Sequence, residues 1–344
     1  MEQAGFRHQA LIYEGADEYL AGTVPFLWAA LEAEEPVLVA VGGKRAELLM
    51  RELGGDARWV QFVAIDEIGR NPAAIVLLWR NFVDENNGPV RGISEPVWSG
   101  RSPAAIEECH RQESLLPLVF AEDPAFALLC AFDAALLPGD TAERVVASHR
   151  CVKRRGQTQE NPAFDPAADF FAGDLPAPSA AAEPLAFGLA DLAAVRDRVA
   201  AAGAQAGLDP REVADLVTAT SELAANSVMH GGGSGTLRFW REQGTVLTEV
   251  EDRGLIEDPL VGRRRPAITQ EGGRGLWLAN QLCDLVQIRS GERGTVVRLH
   301  VAVADRAAGA QAPSAVTDPR AEAGQHSNAW NPRPEAWGRG RAGS

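Results

Sequence analysis

The sequence predicts an α/β protein of two domains, and three observations carry that expectation. Over residues 1 to 150, short apolar runs alternate with helix-length amphipathic stretches, as in a mostly parallel sheet covered on both faces. From Arg154 to Pro184 the composition shifts to Pro, Ala, Gly and Asp with weak periodicity, as in a linker. From Leu189 a second unit reads helix, helix, strand, strand, long loop, helix, strand, strand. A chain of 344 residues is long enough for both units to bury a core. The expected boundaries are 1–153 for the first domain, 154–186 for the linker, 187–303 for the second domain and 304–344 for a disordered tail rich in Ala, Gly, Pro and charge.

In the first domain, Pro36 to Val41 is a β-rich run ended by Gly42-Gly43, and a helical stretch follows from Ala46 to Leu53. Val60 to Val63, Val90 to Val97 and Ala127 to Phe132 are further strands. Helices are expected over Ala73–Val83 and from Pro103 to Leu116, with Pro117 interrupting the second. In the linker, a short docked segment is expected around Phe170-Phe171. In the second domain, helix is expected from Leu189 to Ala206. Leu208-Asp209-Pro210 then opens a helix, with Asp209 as N-cap and Pro210 at its first position, and Gly231-Gly232-Gly233 ends it. Strands at 235–241 and 245–251, a loop from Arg253 to Gly273, a helix from Leu276 to Leu282 and strands at 285–290 and 295–301 complete the unit.

The formal net charge of −14 argues against a nucleic-acid or anionic-membrane partner. No run approaches the ~18 apolar residues of a membrane span, and Met1 to His8 lacks the apolar stretch of a signal peptide, so a cytoplasmic protein is expected. Cys109, Cys130, Cys151 and Cys283 are scattered without a CxxC pair and read as reduced, mostly buried thiols.

The chemistry concentrates between Glu222 and Thr295. On the helix ending at His230, Val213, Leu216, Thr220, Leu223, Ala224 and Ser227 form the core stripe. Glu222, Asn226 and His230 follow at i, i+4 and i+8 on an adjoining face. An amide there suits magnesium, which takes oxygen ligands and keeps waters, and a carboxylate one turn away suits a general base. ExxxN alone is also a solvated helix face, and His230 alone is a helix C-terminal cation. Asp252, at a strand end before Gly254, can accept from an adenine amino group, though Asp-x-Gly is also a plain turn. Gly272, Gly273, Arg274 and Gly275 open the helix that begins near Leu276, so their N–H groups can hold phosphates and Arg274 can add charge. Thr295 can offer its hydroxyl to the base.

Taken in order, these motifs resemble the GHKL ATPases of gyrase, Hsp90, MutL and the histidine kinases. Glu222 and Asn226 match the N box, Asp252 and Gly254 the G1 box, Gly273 and Gly275 the G2 box, and Gly294-Thr295 the last box. The compact span from Leu189 to Val301 looks most like the anti-sigma serine kinases of the RsbW and SpoIIAB type. The resemblance implies an α/β sandwich, a mixed sheet with helices on one face. It implies ATP and Mg2+ as cofactors, with Asn226 as metal ligand and Asp252, Gly254, Gly273, Arg274, Gly275, Leu276 and Thr295 around the nucleotide. It implies Glu222 as the base for phosphorylating a serine of a STAS anti-anti-sigma partner, and a sigma factor as the protein held. Two departures stand out: Leu255-Ile256 follows Gly254 where the family has a second glycine, and the loop carries Arg263-Arg264-Arg265-Pro266.

Gly42-Gly43-Lys44 invites a phosphate-loop reading, which fails because Leu38 stands where a glycine is needed and Arg45 where Ser or Thr is needed. The segments His8 to Tyr13, Glu113 to Leu116 and Ala127 to Asp133, with His149 beyond, resemble the MEDS sensory domain, which implies a RecA-like α/β fold without a working phosphate loop. Such a domain often precedes a GHKL domain in anti-sigma regulators of the RsbA kind. Arg150 stands where that family often has proline. His8, Glu95, His110, Glu113, Asp133 and His149 are candidates to line a ligand or metal pocket, with no metal assigned. Three functions are therefore weighed. The first is an ATP-dependent anti-sigma serine kinase under sensory control. The second is a sensor histidine kinase, disfavoured because Arg154 to Pro184 holds no histidine and little helical pattern. The third is an anti-sigma binding module that uses ATP only for structure. A homodimer is left open.

Overall fold

The computed structural model describes residues 5–123, 125–137, 141–162, 164, 170–178, 182–266 and 273–303. The expected tail at 304–344 and Gly272 lie outside the described residues. No helix among them is long and apolar enough to cross a membrane.

In chain order the first domain runs β1 (Arg7–Tyr13), α1 (Gly15–Glu32), β2 (Val37–Val41), α2 (Gly43–Leu53), β3 (Val60–Ala64), α3 (Ile65–Ile68), α4 (Pro72–Asp84), β4 (Val90–Ser94), α5 (Pro103–Val119), β5 (Phe126–Asp133), α6 (Thr141–Ala147), β6 (Cys151–Arg154) and β7 (Gln157–Glu160). The strands form one sheet in the order β3-β2-β4-β5-β1-β6-β7. All its pairings are parallel except the edge pair β6–β7. Successive strand residues serve opposite faces. Ala10, Ile12, Leu128, Cys130 and Phe132 pack under α4 and α5, while Leu11, Tyr13, Val39, Leu129 and Ala131 pack under α1 and α2. Both faces are covered, which is why these strands read as continuous apolar runs.

Three elements differ from expectation. Helix α5 continues through Pro117 to Val119, because a proline in the last turn removes only one terminal hydrogen bond. Strand β1 and helix α1, unassigned from periodicity, are present, and α1 contains Pro25. The stretch expected as linker holds β7, which adds to the first sheet, and the first half of β8 (Leu185–Gly188), which adds to the second.

The second domain continues with α7 (Leu192–Ala206), α8 (Pro210–His230), β9 (Ser234–Glu242), β10 (Thr245–Asp252), α9 (Arg274–Leu282), β11 (Leu285–Gly291) and β12 (Gly294–Ala302). Its sheet has the order β11-β12-β10-β9-β8, and each described pairing is antiparallel. Helices α7, α8 and α9 lie on one face, where Val195, Leu216, Leu223 and Leu276 meet Leu237, Val250, Ile288 and Leu299. The other face is charged, with Arg298 paired to Glu249 and Arg238 to Glu251. The segment after β7 crosses that face, and the Pro176 carbonyl accepts from Arg298 at 2.7 Å.

The domains meet through buried polar contacts. Arg289 donates to Glu108 at 2.8 Å and Arg263 to Gln112 at 2.9 Å. Asn71, the N-cap of α4, donates to the side chain and carbonyl of Asn280 at 3.0 and 3.1 Å. Phe170, in the segment expected to dock, is buried with Leu115 and Leu260, and the Arg263 guanidinium lies 4.6 Å from its ring centre.

Candidate functional site

Helix α8 is fixed at its start by a capping box. The Asp209 carboxylate accepts from the Arg211 and Glu212 N–H groups, and Glu212 reaches back to the Asp209 N–H at 2.7 Å. Twenty-one residues later the helix ends at a glycine run, and its last two turns form one wall of a pocket of about 300 Å³.

The opposite wall is set by strand register. Ser290, Thr295 and Asp252 stand in one row across β11, β12 and β10. Ser290 and Thr295 share a hydrogen bond of 2.7 Å, and Thr295 donates to the Gly254 carbonyl at 2.8 Å. The Asp252 carboxylate is held on both oxygens: Ser227 of α8 donates to Oδ2 at 2.6 Å and the Gly254 N–H to Oδ1 at 2.7 Å. A carboxylate restrained in this way keeps lone pairs for one more donor at a defined angle. The close approach of α8 to this strand end requires glycines. A Cβ at Gly231 would stand 2.7 Å from Asp252 Oδ1, and one at Gly294, whose φ is +112°, would overlap the Asp252 carbonyl oxygen.

Of the expected site residues, Asn226, Asp252, Gly254, Gly273, Leu276 and Thr295 line the pocket, together with Ser227, His230 and Gly231. Val250, Leu255, Ile256, Val261 and Val297 supply apolar walls suited to a flat heterocycle. Glu222, Arg274 and Gly275 lie outside that lining. Gly275 nonetheless touches the same helix face, since a Cβ there would be 3.0 Å from Asn226 Nδ2 and 3.1 Å from Glu222 Oε2. The first turn of α9, which starts after Gly273 in the left-handed region, is thus pressed against Glu222 and Asn226. This cradle has the chemistry to take a nucleotide: a carboxylate with lone pairs to spare, an apolar slot beside it, and a helix start facing an amide and an acid.

Two contributors were not assigned from the sequence. Ser227 belongs to the core stripe by periodicity and is buried there, yet its hydroxyl also orients Asp252. Ser290 lies at the end of a strand with no motif, and only the β11–β12 register sets it beside Thr295. Where a second glycine was expected, Ile256 packs against the domain core and its N–H donates to Ser290 at 2.8 Å, which closes the pocket floor without that glycine.

In the first domain the rejected phosphate loop has a physical counterpart. The Gly42 N–H, which would face a phosphate, donates to Glu95 Oε2 at 3.2 Å, and Tyr13 donates to Glu95 Oε1 at 2.7 Å. Arg45 bridges Glu95 and Asp133 at 3.6 and 2.9 Å. A buried carboxylate occupies the cradle, and burial raises its pKa. Of the six candidate pocket residues here, Glu95 and Asp133 thus gather at Arg45, whereas His8, Glu113 and His149 gather on the other face of the sheet with Cys130. His110 is separate, stacked on Phe132 with 6.4 Å between ring centres.

Residues 7–150 match the family described as MEDS, the MEthanogen/methylotroph, DcmR Sensory domain. Residues 185–301 match the family described as histidine kinase-like ATPase domain. No curated protein matches the chain. Among solved structures, the crystal structure of the RsbU and RsbW domains of Rv1364c from Mycobacterium tuberculosis aligns at 25% identity, over 35% of this chain and 32% of that one, with a TM-score of 0.27. The chain therefore spans about a third of the length of that relative.

Proposed function

We propose that this chain, a MEDS domain joined to a histidine kinase-like ATPase domain, is an anti-sigma regulator that binds ATP with Mg2+, holds a sigma factor, and phosphorylates a serine of a STAS-type antagonist. The observation that carries the reading is the Asp252 carboxylate, held by Ser227 and Gly254 in an apolar slot lined also by Asn226, one helical turn from Glu222. In this reading Asp252 accepts from the adenine amino group, with Thr295 and Ser290 keeping the slot floor in place. Val250, Ile256 and Val297 exclude water from the base. Asn226 offers its amide oxygen to the metal, and Gly275 lets the α9 N-terminus approach the phosphates. Glu222 takes the proton of the attacking serine hydroxyl as that oxygen bonds to the γ-phosphorus and ADP leaves. Mg2+ held at Asn226 would supply neutralisation of phosphate charge.

Supply of γ-labelled ATP together with the cognate STAS protein tests this. The expected result is label on one STAS serine. Glu222→Gln should abolish transfer and leave ATP bound, and Asn226→Ala should remove the magnesium dependence of binding. Full transfer by Glu222→Gln removes the base assignment. ATP binding without transfer to the STAS protein instead favours the second reading, an ATP-stabilised sigma clamp. That reading draws on Glu222 and Arg274 lying outside the pocket lining.

A further inference from the structure

Four side chains converge in the core of the first domain without any role in the reading above. His8 on β1, Glu113 on α5, Cys130 on β5 and His149 just after α6 are all buried, and one ligand atom from each lies within 4.8 Å of the others. His8 Nε2 is 3.0 Å from Glu113 Oε2 and 3.3 Å from Cys130 Sγ. His149 Nε2 is 3.3 Å from the same Glu113 oxygen.

The His149 ring is fixed from one side. His149 Nδ1 faces the Val145 carbonyl at 2.8 Å, and a carbonyl only accepts, so Nδ1 carries the proton. Nε2, sealed from water, is left facing the Glu113 carboxylate at 3.3 Å without a well-formed hydrogen bond. A buried imidazole nitrogen aimed at a buried carboxylate oxygen is a place where a cation can be held. Fixing one imidazole nitrogen on a backbone carbonyl and leaving the other bare is also how metal-ligating histidines are oriented.

The spacing fits a metal as well. With metal–nitrogen and metal–oxygen bonds of ~2.0–2.1 Å and a metal–sulfur bond of ~2.3 Å, tetrahedral neighbours stand roughly 3.3–3.6 Å apart. The three separations above fall at or slightly below that range, and all four atoms lie within 4.8 Å of one another, so small side-chain shifts bring them to tetrahedral spacing. One carboxylate and one thiolate balance a divalent charge, and two imidazoles with a thiolate favour an ion of zinc's softness over magnesium or calcium.

We propose that His8 Nε2, His149 Nε2, the Glu113 carboxylate and the Cys130 thiolate form a closed tetrahedral site for one divalent transition-metal ion of the zinc class. Loading breaks the Cys130 S–H bond, forms the metal–sulfur bond, and releases that proton to solvent. Four protein ligands leave no open position, so the site is structural or sensory and not hydrolytic. Glu113 sits on the helix whose Glu108 and Gln112 hold the second domain, so the ion would anchor the element that joins the two.

The test uses the untagged full chain, stripped with chelator, loaded with Zn2+ or Co2+, desalted, and assayed for metal by mass spectrometry. The expected result is one equivalent per chain, with cobalt giving a thiolate-to-metal charge-transfer band and the intense visible bands of a tetrahedral site. Cys130→Ser should remove the charge-transfer band with an unchanged circular dichroism spectrum. His149→Gln should weaken retention at least tenfold. Cys109→Ser, a buried thiol outside the quartet, should leave the band intact. Wild-type protein that retains no metal, or a charge-transfer band that survives Cys130→Ser, overturns the proposal. If His149→Gln does not fold, the wild-type and Cys130→Ser spectra decide by themselves.

Discussion

Asp252 gains its specificity from what holds it. A hydrogen bond to a charged group contributes about 1.5–3 kcal/mol, so Asp252→Asn should weaken ATP binding at least about tenfold by calorimetry. Ser227→Ala removes only the hydroxyl that orients Oδ2, and about a fivefold loss is expected. An unchanged affinity for Ser227→Ala would mean that Gly254 alone suffices to hold the carboxylate. His110 illustrates a different residue-level effect. Both its ring nitrogens are buried without hydrogen-bond partners, and burial lowers its pKa from 6.5 to about 4. The unfolded chain then takes up the proton first, so the contribution of this residue to stability is complete above about pH 6.5 and is lost as pH falls toward about 4. Urea unfolding followed across that window should show a shallower pH slope in His110→Phe than in the wild-type chain.

Among the elements, α8 was the most legible. Its cap, its stripe and its terminating glycines all follow local rules, and Asp209, Pro210 and Leu216 occupy the expected positions. Asp209→Ala should cost about 1 kcal/mol, seen as a lower thermal midpoint for the second domain. Elements that depend on neighbours were harder to see. Strand β8 is four residues long and exists by pairing Phe187 with Gly235, where a Cβ on the glycine would collide with the phenylalanine ring. Strand β7 has no apolar face at all, and its four residues are exposed, so only the ladder to β6 defines it. Helix α1 carries Pro25 within its length, which masks its periodicity.

At the scale of the molecule, α5 is the shared part. It sends Glu113 into the first core and presents Glu108 and Gln112 to Arg289 and Arg263 of the second domain. Arg263 lies two residues after Val261, which lines the pocket between α8 and β10, and burial brings its pKa down to about 10. A contact this close to the pocket should carry a signal in either direction. Glu108→Ala leaves Arg289 buried without its carboxylate, a loss of about 3–5 kcal/mol, and should make the two domains unfold as separate transitions in calorimetry. Hydrogen exchange gives the complementary measurement: ATP should slow exchange along α5 in the wild-type chain, and in Glu108→Ala the protection should stop at the second domain. Equal protection of α5 in both proteins would place the coupling elsewhere, for instance at Asn71 and Asn280.

By itself the sequence determined the two α/β units and the order of the nucleotide motifs, because these rest on short-range rules: helix periodicity, caps, and glycines at turns. Asn226, Asp252 and Thr295 could be named because each belongs to a motif with a local geometry. The tertiary structure decided what depends on distant segments meeting. It set Ser290 beside Thr295 by strand register, turned a core serine into the partner of Asp252, and filled the cradle at Gly42 with Glu95. It also sorted five of six scattered acids and histidines into two separate clusters, left His110 apart, and added Cys130, which reads from sequence as an ordinary strand residue. The basic loop that set this chain apart became an interface only when Arg263 met Gln112, 151 residues away, a distance over which no sequence period carries information.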